Sequence, residues 1–128
     1  MRALALALLL GSAAAPAAAQ EFRENLPHPC QDFWMLTRRE ILDCLMRDYQ
    51  AADAELNRVY RQVMTRLPAD RRGALLVEQR AWLRRYDAVL TSYYSRPWAN
   101  RSRVKVLPSQ IRALRDRTAY LRREWLRG

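Results

Sequence analysis

Residues 37–70 read TRREILDCLMRDYQAADAELNRVYRQVMTRLPAD and decide the fold. The first four, Thr37-Arg38-Arg39-Glu40, match the S/T-x-x-E capping box, in which a threonine hydroxyl and a glutamate carboxylate each accept a free backbone N–H at a helix start. Apolar or aromatic side chains then recur at spacings of three and four, which predicts one buried stripe along a long helix that ends at Pro68. The stripe consists of Leu42, Leu45, Tyr49, Ala52, Leu56, Val59, Val63 and Leu67.

Two further helices are predicted after the turn Pro68-Ala69-Asp70. The second carries a core stripe of Leu75, Gln79, Trp82, Tyr86, Val89 and Tyr93, flanked by Leu76, Leu83 and Leu90. Because the turn is so short, the first two helices must run antiparallel. Residues 95–107 break the period and predict an exposed, strongly basic loop. The third helix is expected to begin at Pro108 and Ser109, with a stripe of Ile111, Leu114, Thr118, Leu121 and Trp125. The fold class is therefore all-α, an antiparallel helical hairpin with a third packed helix over residues 37–126.

The start of the chain has the features of an export signal. One positive residue, Arg2, precedes an apolar run over residues 3–10, and small residues end at Ala17, Ala18 and Ala19. This pattern predicts a signal peptide over residues 1–19 with an A-x-A cleavage site. The apolar run is too short to cross about 30 Å of hydrocarbon. We expect a periplasmic or secreted protein without a lipid anchor, since no cysteine lies at the cleavage site.

Residues 20–36 are predicted to form an extended arm that contains the first of two cysteines, Cys30 and Cys44. An even cysteine count in a small exported chain predicts a disulfide, although two free buried thiols remain the alternative. A bridge that closes this loop should stabilise the fold by about 3 kcal/mol.

The chain is strongly basic. Its formal charge is +10 over 128 residues, and Lys105 is the only lysine. Removal of residues 1–19, which carry Arg2 and no acid, leaves 10 − 1 = +9. Such a charge favours anionic partners, and the alternative interpretation is a well-solvated surface.

A polar cluster is predicted between the first two helices. Antiparallel pairing places position 57 opposite about 81 and position 53 opposite about 85. The predicted network consists of Asp53, Asn57, Tyr60, Gln79, Arg80, Trp82, Arg84 and Asp87. Such a network can fix helix register, or it can bind a ligand.

The same stretches resemble a known family. Residues 52–60, then Gln79-Arg80-Ala81-Trp82 and Tyr86-Asp87, look like the signature of the LprI-type lysozyme-inhibitor family. The two cysteines and residues 117–121 also fit it. The resemblance implies a small exported helical protein that inhibits lysozyme. Many members have a second cysteine pair, whose places here fall near Leu90 and Ser109.

The residue inventory argues against catalysis. His28 is the only histidine, so neither a histidine-based triad nor a multi-histidine metal site can be built. A disulfide would also remove both thiol nucleophiles. Acidic pairs such as Asp43 with Asp48 are interpreted as partners of arginines. We expect no catalytic residues, no metal and no cofactor.

Two functions follow from these observations. The favoured one is a binding protein that inhibits lysozyme or another peptidoglycan hydrolase, whose two catalytic carboxylates would attract a basic, aromatic loop. The alternative is an envelope protein that associates with anionic lipid or polymer through the same arginines. Export argues against nucleic acid as a partner. The candidate binding loop contains Tyr94, Arg96, Trp98, Arg101, Arg103 and Lys105.

Overall fold

The computed structural model describes residues 28–31, 36–95 and 103–127. The predicted signal peptide over residues 1–19 and most of the predicted arm lie outside the described residues. So do Arg96, Trp98 and Arg101 of the candidate binding loop, and the side chain of Tyr94.

Three α-helices make up most of the described chain: α1 (Arg38–Arg66), α2 (Ala69–Tyr94) and α3 (Arg103–Trp125). A short 3₁₀ turn at Pro29–Gln31 precedes them, and the described ranges contain no strand. The predicted all-α class, with a helical hairpin and a third packed helix, is confirmed. None of the described helices has the length and apolar character needed to cross a bilayer.

The start of α1 confirms the predicted capping box. The backbone N–H of Glu40 donates to Thr37 Oγ1 at 3.2 Å, and the backbone N–H of Thr37 donates to Glu40 Oε2 at 2.9 Å. The helix ends before Leu67 and Pro68, and α2 begins at Ala69. Pro68 lies two residues after the end of α1 and disfavours the helical conformation at Leu67, which is extended, so the turn between α1 and α2 is as short as expected.

The prediction for the start of α3 is wrong. The helix begins at Arg103, so residues 103–107 are helical rather than part of a basic loop, and Pro108 lies inside the helix. Val104 and Leu107 continue the apolar stripe toward Ile111 at spacings of three and four, and Leu107 is buried. Arg103 and Lys105 of the candidate binding loop are therefore exposed positions on the first turns of a helix.

The proline inside α3 is accommodated by a contact from the 3₁₀ turn. Pro108 has no N–H, so the carbonyl of Val104, four residues earlier, lacks its helical donor. The side chain of Gln31 supplies a replacement, because its Nε2 donates to Val104 O at 3.1 Å. This bond fixes the 3₁₀ turn against the start of α3.

The three helices follow an up-down-up arrangement. Asp48 approaches Arg115, and Glu55 binds Arg122, so the same offset of 67 residues relates α1 to α3 at two points and makes these helices parallel. The backbones of α1 and α3 approach each other most closely. Helix α2 runs antiparallel to both and contributes Leu75 and Trp82 to the core. The core cluster contains Leu45, Ala52, Leu56, Val59, Val63, Leu75, Trp82, Leu107, Ile111, Leu114 and Leu121.

The predicted disulfide is confirmed. Cys30 of the 3₁₀ turn is bonded to Cys44 in the second turn of α1, with a Cα–Cα distance of 5.9 Å. The bridge and the Gln31 bond together attach the 3₁₀ turn to both parallel helices.

Candidate functional site

A buried arginine is the centre of the polar contacts between α2 and α3. Arg117 is 4% exposed; its Nε donates to Gln79 Oε1 at 2.9 Å, and its Nη2 donates to Glu78 Oε1 at 2.8 Å. Its guanidinium carbon also lies 4.6 Å from the ring centre of Tyr120 and 5.6 Å from that of Trp82. One side chain thus joins α3 to two successive residues of α2.

The chemistry of this cluster explains how a charge can be buried there. A buried charge is tolerated when it is paired and hydrogen-bonded, and a planar guanidinium offers five donors in a fixed geometry. Glu78 supplies the opposite charge from the edge of the core, and the faces of Trp82 and Tyr120 add cation–π attraction. These contacts pair α2 with α3.

The polar residues predicted between α1 and α2 are only partly brought together. Gln79 and Trp82 are buried as expected, but Gln79 bonds with Arg117 instead of α1. Asn57 donates to Asp53 Oδ2 at 3.4 Å within the exposed surface of α1. The exposed members of the predicted network include Arg80, Arg84 and Asp87, whereas Tyr60 is partly buried.

Sequence reasoning missed Arg117 and Glu78 as members of the network. Arg117 lies three residues after Leu114 and four before Leu121, both on the core stripe of α3. A charged residue at a core position of a helical stripe requires a buried partner, and this was the available signal.

Tyr86 of α2 lies close to residues of α1. Its ring stacks on Trp82 with 5.2 Å between the centroids. Burial raises the pKa of the Tyr86 hydroxyl, and the neighbouring Tyr49, Asp53 and Asp87 raise it further. Tyr86 is therefore a neutral hydroxyl at the edge of the core.

A shallow groove of about 280 Å³ lies between α1 and α3. Its lining residues are Ala51, Ala52, Glu55, Arg115, Thr118 and Arg122. Glu55 binds both Arg58 and Arg122, and hydrogen bonding from Arg58, together with the charges of both arginines, lowers the pKa of the carboxyl to about 2. The carboxylate and its arginines thus neutralise one another across the groove.

A second buried polar group lies beside the disulfide. His28 Nδ1 accepts from the backbone N–H of Cys30 at 3.0 Å, and His28 Nε2 lies 3.0 Å from Asp48 Oδ2. Ligand atoms of His28, Cys30 and Asp48 lie within 4.8 Å of one another. They do not form a metal site, because the Cys30 sulfur is bonded to Cys44 and His28 Nδ1 is occupied. The group holds the 3₁₀ turn on α1.

The start of α3 carries the described cations of the candidate binding loop. Arg103 and Lys105 are exposed, while the intervening Val104 is partly buried. Beside them is a groove of about 300 Å³, lined by Met46, Tyr49, Arg103, Leu107 and Gln110. We call the residues that line this groove the α3 start surface. They combine apolar and aromatic side chains with the cation of Arg103.

The fold and its polar contacts define a small, basic, disulfide-linked helical bundle whose buried polar groups join its segments to one another. The chain belongs to the lysozyme inhibitor LprI family, whose model matches residues 34–121. The match covers α1, α2 and most of α3. Comparison with curated proteins gives no match, and comparison with solved structures gives none either.

Proposed function

We propose that this protein is an exported inhibitor of lysozyme or a related peptidoglycan hydrolase and acts by binding, without chemistry of its own. The observation that carries the proposal is the family match, because it covers 88 of the 128 residues, including α1, α2 and most of α3. The predicted signal at residues 1–19 and the disulfide support an oxidising compartment outside the cytoplasm.

The surface that best suits such a partner is the α3 start surface. Glycosidases of this kind carry two carboxylates in the cleft that cleaves the sugar chain. Arg103 offers a cation that could pair with them, and Tyr49 and Met46 offer apolar contact beside it. Lys105 adds an exposed positive charge on the same turn of α3. Arginine is suited to carboxylates because its guanidinium can donate two parallel hydrogen bonds.

Contacts within the protein support the backbone of the same surface. The Gln31 bond to Val104 O and the burial of Val106 and Leu107 fix the first turns of α3. Groups that are already ordered lose less conformational freedom on binding, so more of the contact energy appears as affinity. This supports a role for the start of α3 in binding.

The test is an inhibition assay with the mature chain, its disulfide intact. Lysozymes and other peptidoglycan hydrolases are mixed with increasing inhibitor, and the clearing of a peptidoglycan suspension is followed. The double variant Arg103→Glu with Lys105→Glu should need at least about tenfold more protein for half inhibition, a loss of about 1.4 kcal/mol.

The matched control is Arg61→Glu with Arg66→Glu, which changes the net charge equally. Both are exposed on α1, and Arg61 lies 15 residues, or about 22 Å along the helix, beyond Met46 of the α3 start surface. The control should inhibit like the wild type. Hydrolase activity that is unchanged by about 100 µM folded protein would remove the proposal.

A further inference from the structure

Helix α2 buries only a narrow part of its surface. Among the α2 residues whose burial is described, the fully buried ones are Leu75, Gln79 and Trp82, which lie at i, i+4 and i+7 and face the other two helices. The two large apolar side chains that stand out as exposed within the described residues, Val77 at 66% and Leu83 at 43%, both belong to α2. The helix therefore has an outer surface that the rest of the described chain does not cover.

Five residues form one line on this outer surface. Leu76, Arg80, Leu83, Asp87 and Leu90 follow at spacings of four, three, four and three, which keeps them on one side of the helix. Leu83, Arg80 and Asp87 are exposed, and the two outer leucines are partly buried. We call this line the α2 stripe.

The α2 stripe is nearly symmetric about Leu83. Leu76 and Leu90 each lie seven residues from it, about 10.5 Å along the helix axis. Arg80 lies about 4.5 Å to one side and Asp87 about 6 Å to the other. When a second α2 is laid antiparallel with its Leu83 on the first, Leu76 meets Leu90 of the second copy, and Arg80 meets Asp87 of the second copy.

The charges of Arg80 and Asp87 favour an antiparallel over a parallel pairing of two α2 helices. In the antiparallel arrangement the Arg80–Asp87 contact occurs twice, as a two-fold axis requires. In a parallel arrangement each residue would instead face its own copy, and like charges would repel. Arg80 and Asp87 are about 10.5 Å apart along α2, and neither forms an ion pair within the described ranges.

We infer that two copies of this protein associate as an antiparallel homodimer through the α2 stripe. One helix pair buries less than the roughly 1,200 Å² of a stable complex, so the dimer is weak and concentration-dependent. At 0.15 M salt the Debye length is about 8 Å, which screens the net positive charge of each copy more than the contacting pairs. Arg84 follows Leu83, so its two copies face each other near the axis and oppose the dimer.

The experiment measures the dimer dissociation constant by sedimentation equilibrium of the disulfide-linked mature chain up to about 1 mM, a range suited to weak association. Arg80→Asp and Asp87→Arg should each weaken the dimer by about tenfold, because each replaces two attractive contacts with two repulsive ones. The double variant carries the swapped pair and the wild-type net charge, so it should return to within about threefold of the wild type.

Three further variants complete the test. Leu83→Arg should abolish the dimer, and Arg84→Ser should tighten it a few-fold by removing the repulsion at the axis. Arg61→Asp changes the net charge as Arg80→Asp does but lies on α1, and it should not weaken the dimer. A chain that stays monomeric at about 1 mM, or a double variant weaker than both single variants, overturns the inference and leaves the α2 stripe to a partner of another kind.

Discussion

Arg117 is a single buried charge on which the stability of this small bundle depends. It links α3 to α2 through hydrogen bonds to Gln79 and Glu78. It also contacts the rings of Trp82 and Tyr120. Arg117→Met would leave the buried amide of Gln79 without its donor and remove the charge partner of Glu78. Because Glu78 is a third exposed and can regain water, we expect a loss of about 2 to 3 kcal/mol in the free energy of unfolding, at the lower end for a broken buried pair.

The control for this residue is Arg115→Met on the same helix. Arg115 is exposed and lies 3.7 Å from Asp48, a surface pair that should contribute less than about 1 kcal/mol. Urea unfolding followed by circular dichroism measures both variants. Equal losses for the two substitutions would show that Arg117 contributes no more than a surface arginine.

For individual residues, the sequence predicts burial more accurately than it predicts hydrogen-bond partners. Gln79 and Trp82 stand on the period of the α2 core stripe, and that period alone predicts their burial. The short turn pairs adjacent helices, so the sequence predicts their partners on α1. The true partner, Arg117, lies 38 residues beyond Gln79 on the third helix, and its position depends on how α3 packs.

Helix boundaries are likewise predicted well only where they depend on residues nearby in the sequence. The start of α1 and the turn at Pro68 depend on signals within four residues, the capping box and the proline, and both were predicted correctly. The start of α3 depends on Gln31, which lies 73 residues before Val104 and supplies the donor that Pro108 removes. Local rules place a proline at a helix start, and they fail here because a distant side chain compensates for it.

This compensation can be tested by a double-mutant cycle at the start of α3. Gln31→Ala should cost about 1 kcal/mol, the net value of one hydrogen bond, and speed amide hydrogen exchange over residues 106–111, where the first N–H groups of α3 with helical acceptors lie. Pro108→Ala restores an N–H four residues after Val104, so in that background the same substitution should cost clearly less. The loss of the Gln31 contact with the backbone of His28 is common to both backgrounds and cancels. An equal cost in both would show that Gln31 does not replace the missing donor.

For the molecule as a whole, the disulfide is the covalent constraint that keeps these distant contacts together. It fixes the 3₁₀ turn to α1, and the turn then supplies Gln31 to α3 and His28 to Asp48. Replacing Cys30 and Cys44 with serine should lower the free energy of unfolding by about 3 kcal/mol. For a domain of about 100 residues, each kcal/mol corresponds to roughly 4 to 8 °C, so the Tm should fall by about 12 to 24 °C.

Thermal unfolding by circular dichroism measures this loss, and the wild type under reducing conditions should unfold at the same temperature as the serine variant. Without the bridge, the 3₁₀ turn is released from α1 and contacts α3 for a smaller fraction of the time. Gln31→Ala should therefore cost less in the serine variant than in the wild type, since two changes that act on one contact are not additive. A cost that is unchanged by removal of the bridge would mean that the turn binds α3 independently, and that the disulfide stabilises α1 alone.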